Sequence, residues 1–394
     1  MERVLFAVNG EEFGGLEIVL LDWLSGIDYS KTSVILCYRA DAVGEKATAR
    51  KLGVEKVKLS FPGRGSFAGN FQEWRRVFAS ARPDKIILLE GNIGDLSLAT
   101  IFAAWRAVGD GAFVFAGGGG GPLASVGSET QKRRHFGFVP GIGLHRWPES
   151  LRQQARGMLL RRTFVSSEGM RDSLIATFGY PAARAEVLYH GVDTVRFREF
   201  REERAEFRRA KGIPENATVI VSHGRPARIK RVDRILRAFE TLAREWKDLW
   251  LVLTCYGALK EEVEKMAAVN GARGRVKLLG FEDDASQMLK ASDIYVLASD
   301  QEGFGIALVE AMATGLVCVA TKCLGPASIL RDGENGILVE ASDEGVLTGL
   351  RRALALSEEE RGRLAARARK TVEERFELHA AIRAALEAMD VPHR

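Results

Sequence analysis

Short runs of Val, Ile, Leu and aromatic residues alternate with longer amphipathic stretches along the whole chain. RVLFAV, SVILCY, VEKVKLSF, DKIILLE, FVFAG, TFVSS and EVLYHG read as strands in the first half; TVIVSHG, LWLVLTC, RVKLLGF, IYVLAS, LVCVAT and GILVE read as strands in the second. Strands that are apolar throughout, rather than at every second position, need cover on both faces, and parallel sheets receive it from crossover helices. Two such series predict an α/β chain of two doubly wound, Rossmann-like domains. The expected division is an N-terminal domain over 1–192, with 376–394 packing back on it, and a C-terminal domain over 193–375. The seam falls near Gly191–Arg198. The last helical stretch, Ser357–Met389, opens with Ser357 and Glu360 at the spacing of a capping box. A chain of 394 residues is also too long for one core.

Composition narrows the class. With 46% hydrophobic and 28% charged residues, 41 Gly and 10 Pro, the chain is globular, neither disordered nor fibrous. The four cysteines, Cys37, Cys255, Cys318 and Cys323, form no C-x-x-C pair, which argues against a zinc ribbon and for a reducing compartment. The apolar run at the N-terminus is too short for a signal peptide. The longest uncharged stretch, Gly111–Ser128, is too rich in glycine for a membrane span. A cytoplasmic protein is expected, with a peripheral habit at the inner membrane face. Residues 1–192 carry 24 Lys+Arg against 19 Asp+Glu, whereas 193–394 carry 33 of each. Eight basic residues and one acid fall within 131–162. That asymmetry suggests an anionic partner for the first half.

Ligands of open parallel sheets bind beyond the carboxyl ends of the strands, so the loops there hold the candidate chemistry. FGGLE, Phe13–Glu17, follows the first strand and opens a helix. Its paired glycines suit either a tight turn or backbone approach to a phosphate. GRPARIKR, Gly224–Arg231, follows TVIVSHG; Arg225 and Lys230 could clamp a diphosphate or simply start a solvated helix. In DQEGFGIALVEAMATG, Asp300–Gly315, the amides of Gly303, Phe304 and Gly305 precede a helix from about Ile306 and suit an anion. Glu302 stands before them. Glu310 sits one turn into an otherwise apolar helix, where a carboxylate can accept both hydroxyls of a ribose.

These residues resemble the retaining GT-B glycosyltransferases of family 4. Glu302 and Glu310 have the spacing of that family's E-x7-E motif in its usual surroundings. GGLE is similar to the early GG-x-E loop. SSEGMRDSL with YHGVDTVRF resembles the interdomain segment, with His190 where the family usually has Asn. Arg225, Lys230 and Asp233 match the donor loop, LLGFEDDASQMLKASDIYVLAS the nucleobase loop, and ILRDGENGILVE the last strand.

The resemblance implies two domains facing across a cleft and transfer of a hexosyl group from a nucleoside-diphosphate sugar, UDP ahead of GDP. The acceptor is a hydroxyl on a carbohydrate or lipid-linked molecule, in the synthesis of envelope polysaccharide, lipopolysaccharide or glycolipid. Arg225 and Lys230 would hold the diphosphate, Glu310 the ribose and Glu302 the transferred sugar. The 303–305 amides would serve sugar hydroxyls and phosphate, Gly280 and Phe281 would line the base pocket, and Gly14 and Gly15 would close on the donor.

The chain departs from the family where FVFAG runs directly into Gly117–Gly121 and leaves no His near the reacting carbon. Gly117, Gly118 and His135, in the long connection Gly117–Pro148, are the acceptor-side candidates. Ala298 replaces the family's Pro. No D-x-D triad is present; the Asp300 and Glu302 pair could take magnesium, but Arg225, Lys230 and a helix dipole already neutralise a diphosphate, so no cofactor is expected. The partners expected are the donor, the acceptor and an anionic membrane surface, without nucleic acid. A UDP-HexNAc epimerase on the same fold and a non-catalytic nucleotide-binding protein are the alternatives.

Overall fold

The structure, a computed structural model, describes residues 1–8, 14–59, 67–90, 98–116, 149–198, 201–224, 226–281 and 284–394. Contacts divide the chain into two units: Met1–Tyr189 with His379–Arg394, and His190–Leu378. The first contains β1 (Glu2–Val8), β2 (Thr32–Tyr38), β3 (Val54–Lys58), β4 (Lys85–Glu90), β5 (Ala112–Ala116), β6 (Arg162–Val165) and β7 (Ala185–Val187). They form one sheet in the order β3-β2-β1-β4-β5-β6-β7, with every pairing parallel. The second contains β8 (Thr218–Ser222), β9 (Leu249–Thr254), β10 (Val276–Leu279), β11 (Ile294–Leu297), β12 (Val317–Thr321) and β13 (Ile337–Val339). Its order is β10-β9-β8-β11-β12-β13, again all parallel. Both orders reverse direction once, between β1 and β4 and between β8 and β11.

The apolar runs become strands because both faces are covered. In the second unit, helix Val232–Glu245 buries Ile235, Leu236, Ala238, Phe239, Leu242 and Ala243, and these join Ile220, Leu251, Val296 and Val319 in one core. Spacings of three and four residues give that helix a continuous apolar stripe. The opposite side of its first turn is charged and closes a network: Asp233 accepts from Arg231 and Arg237, and Asp343 accepts from Arg234 and Arg237. The Arg231 guanidinium beside Asp233 holds that carboxyl well below the usual carboxylate range.

The C-terminal stretch differs from the single helical run expected. It forms helices Glu358–Arg375 and Leu378–Ala388. The break has a cause in packing. Phe376 is buried edge-on to Phe304, and the Val192 backbone donates to Phe376 O (2.8 Å) and accepts from Leu378 N (3.2 Å), so the helical ladder cannot continue through 376–377. The expected capping box is present: Glu360 N donates to Ser357 Oγ, and Ser357 N donates to Glu360 Oε2 at 2.8 Å. Beyond the break the chain packs in the first unit, where Asp28 N donates to Pro392 O and Arg394 N to Gly26 O, both at 3.0 Å.

One arginine of the basic segment 131–162 is internal. Residues 132–134 and Arg146 lie outside the described residues. Arg156, in helix Glu149–Leu159, is buried and paired with Glu90. Arg161 meets Asp390 at 2.7 Å and Arg162 meets Glu186 at 2.9 Å. Among the described residues, no helix is long and apolar enough to cross a membrane.

His190 is buried at the start of the second unit with its ring 5.1 Å from Phe304. Burial holds its pKa down to about 3. An unfolded imidazole takes its proton near pH 6.5, so between there and about pH 3 the unfolded chain binds the extra proton. Stability is therefore complete above pH 6.5 and falls as the solution is acidified. Wild type should lose about 2 kcal/mol more than His190→Asn between pH 7 and pH 5, at roughly 1.4 kcal/mol per unit below 6.5. Urea unfolding at the two pH values checks this; parallel losses in the two proteins would remove His190 as the cause.

Candidate functional site

The strand order reverses between β8 and β11, and ligands of such folds usually sit beyond the carboxyl ends of the strands at that point. The loop after β8 begins with His223 and Gly224. Gly224 has φ 120°, a conformation that favours glycine. Its amide donates to Thr254 Oγ1 (3.1 Å) and its carbonyl accepts from the same hydroxyl (2.8 Å), which fixes the loop to the end of β9. At its far end, Ile229 O accepts from Asp300 N at 2.8 Å, which joins it to the loop after β11. Arg225 lies outside the described residues; Lys230 lies within them.

The Asp300–Gly305 loop is held just as firmly. Glu302 O accepts from Gly325 N at 2.9 Å. Phe304 is buried and packs against His190 and Phe376. Its contribution to a ligand is thus confined to the backbone. Gly305, with φ 104°, begins helix Ile306–Thr314. No side chain caps that helix and its first turn holds no acid, so its positive end is uncompensated.

The charges at this edge are paired with one another. Lys230 Nζ contacts Glu302 Oε2. Asp300 is taken by Arg231, at 3.2 Å, and by Arg234. Both carboxylates considered for magnesium are therefore engaged by cations. Among the described residues, no group of three or more His, Cys, Asp or Glu could hold a metal ion. Glu310 accepts from His223 Nε2 at 2.7 Å. Burial, reinforced by Glu302, raises the nearby Tyr295 hydroxyl well above its ordinary pKa. Burial and then Glu302 push the Cys323 thiol up to about 12, so it is no nucleophile at neutral pH.

Other candidates separate from this cluster. Gly280 and Phe281 follow β10; Phe281 is 54% exposed and sits edge-on to Tyr256 at 5.2 Å. In the first unit, Gly14 and Gly15 open helix Gly15–Gly26. The Gly14 amide donates to Glu17 Oε2 at 2.9 Å, so the chain's own carboxylate meets this helix start. Gly117, Gly118 and His135 lie outside the described residues. Asp284 accepts from Ser286 N at 2.8 Å just before helix Ser286–Lys290, whose N-cap is Ala285; Asp283 is outside the described residues. His223 carries a contact to Glu310 that motif spacing missed. Its signal was a histidine immediately after a strand, at the edge where ligands bind.

Residues 203–371 match the family model described as glycosyl transferases group 1. The lipopolysaccharide core biosynthesis glycosyltransferase LpsE of Rhizobium meliloti is 33% identical over 164 residues, 41% of this chain and 47% of that protein. The chain spans about half the length of the curated relatives it matches. The fold matches a glycosyltransferase from Rickettsia africae with a TM-score of 0.78 at 16% identity, over 99% of this chain and 98% of that one. It also matches HepE of Anabaena, solved with UDP and glucose, with a TM-score of 0.77 at 19% identity, over 99% and 100% of the two chains. The architecture is that of GT-B glycosyltransferases.

Close packing at Gly325 makes the 302–305 loop testable. A Cβ there would press on the Phe304 backbone, its carbonyl carbon 2.6 Å away. Gly325→Ala should destabilise the second unit by about 1–3 kcal/mol, the usual effect of overpacking against backbone. Gly274→Ala, with nothing within 4 Å of its Cβ, serves as the control. Matching thermal midpoints for the two variants would show that the loop yields freely.

Proposed function

Because residues 203–371 match the glycosyl transferases group 1 model in a chain with the GT-B fold, we propose that this protein moves a hexosyl group from a nucleoside-diphosphate sugar to an acceptor hydroxyl with retained anomeric configuration. The observation that carries this reading is the gathering at the β8–β11 edge of Lys230 and Glu302, of Glu310, and of an uncapped helix N-terminus. A cation and a helix dipole suit a leaving diphosphate, and a carboxylate suits the ribose diol. Arg225 is the second proposed diphosphate ligand, Glu302 the contact to the transferred sugar, and the Gly303–Gly305 amides serve its hydroxyls. Gly280 and Phe281 line the base position. UDP is favoured because HepE was solved with UDP and with UDP-glucose. An envelope acceptor is favoured by LpsE and by WaaG, whose structure is described as that of a lipopolysaccharide biosynthesis glycosyltransferase.

In the proposed reaction the bond from the anomeric carbon to the diphosphate oxygen breaks and the bond to the acceptor oxygen forms on the same face. The acceptor proton passes to the departing phosphate, giving the nucleoside diphosphate and the glycoside. Glu302, the carboxylate this reading assigns to the transferred sugar, is paired with Lys230, which favours a same-face transfer over a double displacement. Charge on the leaving group grows toward the transition state, where a preformed cation stabilises it most.

A thermal-shift panel of UDP-, GDP-, ADP- and dTDP-sugars tests the donor, since a ligand at 100 times its Kd adds about 2.7 kcal/mol. UDP-sugars should give the largest shift. Lys230→Ala should lower turnover more than nucleoside affinity, and turnover should survive EDTA. Equal losses in both quantities, or magnesium rescue after chelation, would overturn the metal-free leaving-group clamp.

The proposed location is the cytoplasmic membrane face, with docking on anionic lipid through residues 132–134. Arg156 is committed to a buried pair with Glu90 and is not part of that surface, whereas Arg161 and Arg162 are half-exposed and ion-paired with Asp390 and Glu186. Co-sedimentation with vesicles should rise with anionic lipid, fall with salt, and weaken when Lys132, Arg133 and Arg134 are replaced together. Protein left in the supernatant over strongly anionic vesicles at low salt would point to a soluble acceptor.

A further inference from the structure

His223 and Glu310 are 87 residues apart in sequence and 2.7 Å apart in space. We infer that His223 is a positioning residue: it fixes the Glu310 carboxylate for the ribose hydroxyls and so sets the preference for ribonucleotides over deoxyribonucleotides. The inference rests on the donor reading above.

The pair is built from both sides. Glu310 projects from a helix whose residues Leu308, Val309, Ala311 and Met312 are all buried. Its side chain is 21% exposed, whereas that of His223 is 6% exposed. The histidine thus lies behind the carboxylate, which keeps access to solvent. An ionised carboxylate only accepts, so the nitrogen facing Glu310, Nε2, carries a hydrogen. Nδ1 is buried without a hydrogen-bond partner among the described residues. The opposite tautomer would strand an N–H there and turn a lone pair toward Glu310, so both ends of the ring select the same arrangement. The ring is held edge-on to the buried Tyr295 at 5.5 Å, and the next residue, Gly224, is fixed by Thr254.

The consequence is chemical. A free glutamate samples several rotamers and loses that freedom when a ligand binds. Here Oε2 is anchored in advance, and the remaining lone pairs are directed by the anchor. A cis-diol can then be accepted without further ordering of the side chain.

The test measures affinity for the tightest-binding of UDP, GDP and ADP, and for its 2′-deoxy and 3′-deoxy forms, by calorimetry. His223→Leu should weaken the ribonucleotide about tenfold, a fraction of what a charged hydrogen bond supports. The deoxy form that has lost the hydroxyl held by Glu310 should be nearly unaffected. His223→Gln, whose amide can reach the same carboxylate, should restore most of the difference. If His223→Leu does not fold, His223→Asn, too short to reach, takes its place. Equal losses for ribo and deoxy forms, or no loss in a folded variant, would overturn the inference. Glu310→Gln separates the two levels. If it leaves ribose discrimination intact, the ribose reading itself fails. If it abolishes discrimination while the His223 variants retain it, only the role of His223 falls.

Discussion

A parallel strand covered by helices on both faces has no position along its length for an unpaired charge. This constraint organises the whole molecule. In β8 and β11 the buried runs read Val219, Ile220, Val221 and Ile294, Tyr295, Val296, Leu297. Burying an ion among them would cost several kcal/mol. Polar chemistry is therefore displaced to the strand ends, where loops can bring it together. His223, Asp300 and Glu302 all stand just past the last buried strand residue. Sheet order does the rest, because adjacent β8 and β11 lead away in opposite directions and leave their terminal loops side by side.

Charges gathered in this way must be compensated before any ligand arrives. Lys230 faces Glu302, and Asp300 is shared by Arg231 and Arg234. The compensation is not uniform. Arg234, Asp233 and Asp343 form a network behind the loop whose loss would leave a buried guanidinium unpaired. Lys230 and Glu302 are a single pair at the edge, about a third and a seventh exposed. An ion pair open to solvent is the easier to exchange for a phosphate and a sugar hydroxyl. In the first unit the corresponding helix start has already made its exchange: Glu17 occupies the Gly14 amide. The asymmetry follows from sequence, since a glutamate lies in the first turn of Gly15–Gly26 and none in that of Ile306–Thr314.

The strands and crossover helices were legible because continuous apolar runs and amphipathic periods are local properties of the chain. The E-x7-E loop and the Lys230 loop were legible because each is a contiguous motif at a strand end. Features set by tertiary contact were not. Nothing near residue 376 breaks helical periodicity; the break exists because Val192 captures the backbone and Phe376 enters a core. Arg156 belongs to a basic run in sequence, yet Glu90, 66 residues earlier, makes it internal. His223 could not be joined to Glu310 by spacing, because the sheet pairing, not the chain, brings them together.

Phe304 shows how a glycine-rich loop becomes rigid enough to serve a ligand. Two glycines flank it, which on their own would leave the backbone many conformations. The phenylalanine side chain is anchored between His190 and Phe376, with ring centroids at 5.1 and 5.4 Å. Gly325 brings its own backbone against Phe304 from another side, at a distance that excludes any side chain there. The loop thus combines glycines that let amides approach a ligand with an aromatic anchor that removes the freedom glycines would bring. His190 completes the anchor as a buried neutral ring, and the acid sensitivity it brings is accepted by a structure that gains an edge-to-face contact in return. A loop built in this way can hold its amides in place before the substrate arrives, which is what electrostatic stabilisation of a leaving diphosphate requires.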